Sequence, residues 1–291
     1  MKRLSSAWGP LLLFFAAAAV GSLPEERFPP KGSWTNSTHR FFPDLDARMN
    51  AVRYGRWRAV EIAWGSGING RLDQRFSSYL LSLLADPPRF APEADRVAPR
   101  FAREALPIFR ALHWGQVFEQ QALDILAASD ASPRLDEERL GRIAALYRRE
   151  RWSLSEPAEP EVSGEAMRAA PASARILLAG TRLFVLAAED LAAADFGQQR
   201  WRVKKTVEDF DRSVAQEQSP EQATYHVAAP TVVSHFPVVA GQLDRLRRFR
   251  AELFEALLPG GETAPARHER DERVRQLARR WGLPVEGIGG R

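Results

Sequence analysis

The sequence predicts an all-α protein: a bundle of about seven to nine helices with an extended N-terminal arm and no sheet. Three observations carry that expectation. From Leu45 onward, apolar residues recur at helical spacing in nearly every segment. No segment alternates apolar and polar residues over the length of a strand. Proline and glycine clusters such as "GSGING", "DPP", "SPR" and "PGG" interrupt the periodic stretches at helix-length intervals.

In chain order, Lys2 and Arg3 precede an apolar run from Pro10 to Val20, and Ala19 and Gly21 stand at the positions that a cut before Ser22 requires. That is the pattern of a secretory signal peptide over residues 1–21, and the run is shorter than the roughly 20 apolar residues of a spanning helix. The expectation is export to the periplasm, or a membrane anchor if the signal is not cut. Residues 22–43, rich in Pro, Gly and Ser and without a period, read as an extended arm whose Phe and Trp residues lie on the body.

Residues 44–152 read as a first helical half. Leu45, Met49, Val52, Val60 and Ala63 form one stripe, with Trp57 and Trp64 on its flank, and Leu72, Phe76, Leu80 and Leu83 form the next. A long helical stretch from Pro92 to Ser129 is expected to kink at Pro107. Ser132 and Pro133 then start a helix with the stripe Leu140, Ile143 and Tyr147. "SLSEPAEPEVSG", residues 153–164, reads as a linker, and residues 165–284 as a second helical half.

That half opens with residues 174–197, apolar nearly all round except at Arg182 and Glu189, as a central helix would be. Val203, Val207, Phe210 and Val214 mark a further helix, and "TYHVAAPTVVSHFP" a connector. Leu243, Leu246, Phe249, Leu253 and Leu257 mark another, and a last helix ends near Trp281. Residues 285–291 read as a flexible tail. Residues 123–152 weakly echo residues 254–281 in helix, Pro-containing loop, charged helix and terminal Trp. Either a duplicated helical hairpin or the common grammar of caps and stripes accounts for the echo.

Composition narrows the chemistry. The 41 basic residues lose Lys2 and Arg3 with the signal, leaving 39 against 37 acidic ones. Arg clusters such as "RLRRFR" at 245–250 have acids within a turn and read as solvated helix faces, so no nucleic-acid partner is expected. Cysteine is absent, which removes disulfides, thiolate metal sites, c-type haem attachment and a Cys nucleophile. An exported chain held by core packing alone fits a bacterial envelope. "GSGING" matches a dinucleotide fingerprint in letters only, since a helix rather than a strand precedes it; it reads as a helix-to-helix turn.

The stretch from Phe109 to Leu126 holds the polar residues most in need of explanation. With Leu112 set at zero on a helical wheel, Phe101, Ala105, Ile108, Leu123 and Leu126 define the buried stripe. Glu119 falls about 20° away, Gln116 about 40°, Gln120 about 80° and His113 about 100°. Glu119 and Gln116 therefore point inward and His113 lies at the edge. A buried carboxylate needs a partner. One reading is a structural polar core of Gln116, Glu119, Gln120, Arg182 and Glu189, with Arg182 pairing Glu119 or Glu189. The alternative gathers His113, Glu119, Glu189, His226 and His235 on a single metal ion, or holds a b-type haem on a His. Against it, no Glu-x-x-His pair occurs on either central helix. The first reading needs no cofactor. Together with the aromatic arm, it points to a non-catalytic binding or accessory protein whose partner is another envelope protein.

Overall fold

The computed structural model describes residues 36–67, 69–128, 133–155, 168–169, 171–193, 195–215, 229–257 and 263–289. The protein is all-α. Among the described residues there are 12 helices and no strand, the one β pairing being an isolated bridge between Ala105 and Ile288. The helices are α1 (Ser37–Phe41), α2 (Pro43–Ser66), α3 (Gly70–Ala85), α4 (Ala94–Val97), α5 (Pro99–Glu104) and α6 (Leu106–Ala127). After them come α7 (Pro133–Arg149), α8 (Pro171–Ala193), α9 (Phe196–Ala215), α10 (Pro230–His235), α11 (Pro237–Leu257) and α12 (Ala264–Arg280).

Proline sets many of the starts. Pro43, Pro99, Pro133, Pro171, Pro230 and Pro237 each occupy a first helical position, where the missing N–H has no intrahelical partner to lose. The expected single helix with a kink at Pro107 is instead three pieces, broken at Ala98 and Ala105. The residue before a proline is pushed out of helical geometry. Ala98 sits at φ −126° before Pro99, and the break at Ala105, φ −138°, lies two residues before Pro107. "GSGING" is the turn its letters suggest. Gly67, at φ 69°, ends α2, and the Asn69 side chain caps α3 by accepting from the Leu72 N–H at 3.0 Å.

Residues 31–291 form one compact unit. α8, from the expected second half, packs against α2, α3, α6, α9, α10 and α11, so helices from both halves share one core. Close approach is built in where α8 and α11 meet the first half. A Cβ on Gly180 would lie 2.1 Å from Val52 Cγ1, and one on Gly115 would lie 2.3 Å from Leu246 Cδ2. Trp57, Trp64 and Trp281 are fully buried, and Trp64 meets Phe101 edge to face.

Residues 22–35 of the expected arm lie outside the described residues, but residues 36–43 and 285–289 differ from expectation. The arm is helical at Ser37–Phe41, and Ser37, Thr38 and Phe42 are buried. The tail is clasped to the body: Ile288 is buried, the Gly289 N–H donates to the Glu104 carbonyl at 2.9 Å, and Arg275 donates to the Ile288 carbonyl at 2.8 Å. On α3 the buried face is Asp73, Phe76, Leu80 and Leu84 rather than one through Leu72 and Leu83. The carboxylate of Asp73 has a reason to be inside, given below.

Candidate functional site

Four helices meet around Glu119. It is 1 % exposed and receives Arg250 Nη1 at 2.6 Å and Nη2 at 2.9 Å from α11, and Arg56 Nη1 at 3.3 Å from α2. The Thr181 hydroxyl on α8 accepts from both guanidiniums at 3.1 Å. Gly180, the residue before it, leaves room for Arg56, whose Nη2 would lie 2.8 Å from a Cβ there. The partners of Glu119 are thus Arg56 and Arg250 rather than Arg182, which is half-buried on α8. Arg250 belongs to "RLRRFR", so that cluster is not wholly a solvated face: Arg250 is 1 % exposed.

The electrostatics follow from burial. Desolvation opposes ionisation of Glu119, but Arg250 first and Arg56 next outweigh it and hold its carboxyl below the usual 4.5. Desolvation, then repulsion from Arg250, lowers Arg56 from the usual guanidinium range to about 9, despite the attraction of Glu119. Burial also lowers Arg53, one turn earlier on α2. The Nε–H of both Arg56 and Arg250 finds no acceptor among the described residues. At neutral pH this cluster holds an ionised carboxylate between two cations. It has no carboxyl proton to give and acts as a joint between helices.

From the joint a polar seam runs outward between α2 and α6. Trp57 Nε1 donates to Gln116 Oε1 at 3.0 Å. Arg53 donates to Gln120 Oε1 and to Asn50 Oδ1, and Gln120 Nε2 donates to Asp124 Oδ1 at 3.2 Å. Asp124 in turn accepts the Thr38 N–H at 2.9 Å and the Asn36 N–H at 3.3 Å, tying α1 to α6.

The last contact is one of a set. Three helices begin with Pro at the first position after an alanine, at Ala98-Pro99, Ala170-Pro171 and Ala229-Pro230, and alanine has no side chain to cap with. Each receives a carboxylate from a distant helix at the N–H groups of its second and third residues. Glu61 of α2 accepts from Arg100 and Phe101 at 3.2 and 2.9 Å. Asp73 of α3 accepts from Ala172 and Ser173 at 2.9 and 2.8 Å, and from the Ser173 hydroxyl. Glu189 of α8 accepts from Thr231 and Val232 at 3.0 and 2.9 Å.

Of the residues proposed for a metal, both carboxylates are engaged otherwise. Glu119 is held by guanidiniums and Glu189 caps α10. His113, half-buried, lies parallel to the Phe109 ring at 6.3 Å. His235 is exposed, its Nδ1 3.1 Å from the Thr231 carbonyl oxygen and 3.0 Å from Ser234 Oγ. His226 lies outside the described residues. Among the described residues no three His, Asp or Glu side chains are placed to hold a metal ion.

No family model, curated protein or solved structure matches this chain. The geometry has to speak for itself. Sequence reasoning missed Arg56, Arg250, Asp73 and Glu61. A signal for Arg56 was present: the stripe Leu45, Met49, Val52, Val60, Ala63 skips one helical position, and that position is Arg56.

Proposed function

We propose that the protein is an exported, non-catalytic helical binding or accessory protein of the bacterial cell envelope. What carries the reading is the use to which its interior carboxylates are put. Glu119, Asp73 and Asp124 are buried, and they and Glu189 each hold one helix to another, so the groups that looked like chemistry serve rigidity. A rigid scaffold is what a presenting surface needs. The leader pattern of residues 1–21 supports export, and the Pro- and aromatic-rich stretch after it supports contact with another envelope protein.

The first test is elemental and absorption analysis of the protein purified from a periplasm without chelators, with N-terminal sequencing. The expected result is a colourless, metal-free chain starting at Ser22. Near-stoichiometric metal or a haem band, lost in His113→Ala, would overturn the reading in favour of a His-based site. The second test is in-cell cross-linking after deletion of residues 22–35, which spares α1. Loss of a cross-linked envelope species is expected; an unchanged species removes the arm from the proposal.

A further inference from the structure

The weak echo between residues 123–152 and 254–281 extends, in the structure, over most of the chain. α6 begins at Leu106 and α11 at Pro237, and α7 begins at Pro133 and α12 at Ala264. The step in both cases is the same 131 residues that separate Glu119 from Arg250. α7 and α12 are each 17 residues long. The same step carries Pro99, the start of α5, onto Pro230, the start of α10. It also carries backbone breaks onto breaks. Ala98 and Ala229 stand at φ −126° and −127°, and Ala105 and Phe236 at φ −138° and −130°. The pair Glu138–Arg142 on α7 recurs as Glu269–Arg273 on α12, both at 2.8 Å. The positions matching α4 lie outside the described residues.

α2 with α3 and α8 with α9 keep the same order. The step from Pro43 to Pro171, the first residues of α2 and α8, carries Glu61 onto Glu189. Glu61 caps α5 and Glu189 caps α10, at amides that are themselves counterparts: Arg100 and Phe101 in one, Thr231 and Val232 in the other. Stripes and caps look alike in any bundle. A carboxylate at the same position of one helix, reaching the same two amides of another, does not follow from that common grammar.

Counterparts also meet. Across a two-fold axis residue i touches j while j touches i, and only residues on the axis touch their own counterparts. Val52 and Gly180 are counterparts, and a Cβ on Gly180 would lie 2.1 Å from Val52 Cγ1. Gly115 and Leu246 are counterparts, and a Cβ on Gly115 would lie 2.3 Å from Leu246 Cδ2. Glu119 and Arg250 are counterparts, bonded at 2.6 and 2.9 Å. Away from these pairs the contacts are exchanged: α3 packs on α8 and α9 on α2, α6 packs on α8 and α11 on α2.

We infer that the described helices of residues 43–149 and 171–280 are two copies of one unit, related by a pseudo-two-fold axis through these three pairs, and that the inner surface of each half is fitted to the other. The pairs also explain why unlike halves associate. Each sets large against small or acid against base, and Val52, Leu246, Glu119 and Arg250 are all buried. Two first halves would press Val52 on Val52 and oppose two Glu119 carboxylates. Two second halves would press Leu246 on Leu246 and oppose two Arg250 guanidiniums. Overpacking and unpaired buried charge both oppose such pairings. The joint at Glu119 is thus the element that selects the partner half. This goes beyond the envelope-protein reading and does not depend on it.

The test reverses the axis pairs in the full chain. Gly115→Leu alone should overpack and Leu246→Gly alone should open a cavity, each lowering the midpoint of urea unfolding. The double variant returns the same two residues to equivalent positions, with their helix propensities unchanged in sum, so most of the loss should be recovered. Glu119→Arg and Arg250→Glu should behave alike, two weakened single variants and a recovered double. A double variant that loses the sum of its singles, in either pair, overturns the proposal. A second measurement needs no destabilised variant. With a protease recognition sequence inserted after Pro160, the folded chain is cut between the halves. The two fragments should elute together from a size-exclusion column and part only in denaturant; separation in native buffer would equally overturn it.

Discussion

Arg56 and Arg250 are the same residue type bound to the same carboxylate, yet their surroundings make them unequal. Arg250 makes two short bonds to Glu119, while Arg56 makes one at 3.3 Å and is repelled by Arg250. Breaking a buried pair by removing the better-bonded partner leaves an uncompensated charge, so Arg250→Met should cost about 3–5 kcal/mol. Arg56→Met should cost less than about 1 kcal/mol, since it removes a desolvated cation that Arg250 repels. Urea unfolding at pH 7 measures both, and equal losses would contradict this asymmetry. The pH dependence has a definite sign. Glu119 is held below its ordinary value of 4.5, so its contribution is present above that pH and fades as pH falls through the lower folded value. The gap in stability between wild type and Glu119→Gln should therefore close below pH 4.5. That Glu119 faces inward was legible from helical phase. Its partners were harder to see because arginines are common on this chain's helices. Yet Arg250 lies seven residues after Leu243 and four after Leu246, on the buried stripe, so the same phase argument locates it.

Helices α5, α8 and α10 share a construction in which proline fixes the first turn and a carboxylate from another helix satisfies the next two N–H groups. An N-cap replaced by a side chain that cannot accept costs about 0.5–2 kcal/mol. Asp73→Ala should lie at the upper end, because Asp73 is buried and also binds the Ser173 hydroxyl. Glu189→Ala should cost less globally but release α10, raising amide exchange at Thr231 and Val232 while leaving α11 protected. Exchange unchanged at those two amides would mean that α10 stands without its remote cap. The helices themselves were legible from the sequence, because a stripe is a property of one segment. The remote caps were not, because their acceptors serve backbone groups that carry no sequence signature. The usable hint is negative: an Ala-Pro start where Ser, Thr, Asp or Asn would normally cap implies that the cap comes from elsewhere.

Across the whole molecule the joints run between early and late parts of the chain. Arg270 on α12 donates to the Trp64 carbonyl, 206 residues before it, and its guanidinium stacks 3.7 Å from the Trp64 ring centroid. Gly289 and Ile288 close on Glu104 and Ala105. Removing residues 284–291 should therefore destabilise the protein by about 2 kcal/mol through lost burial of Ile288 and lost hydrogen bonds, lowering Tm by several degrees. Scanning calorimetry checks this, and an unchanged Tm would return these residues to the status of a loose tail. A 3.6-residue period says nothing about such closure, which is why the tail read as flexible.

The Arg270–Trp64 contact also orders events in time. The carbonyl it meets lies in the last turn of α2, whose cap residue is Gly67. A chain emerging residue by residue, from a ribosome or through a translocation pore, delivers α2 long before α12. Its first long helix therefore gains this partner for its last turn only once nearly the whole polypeptide has been delivered.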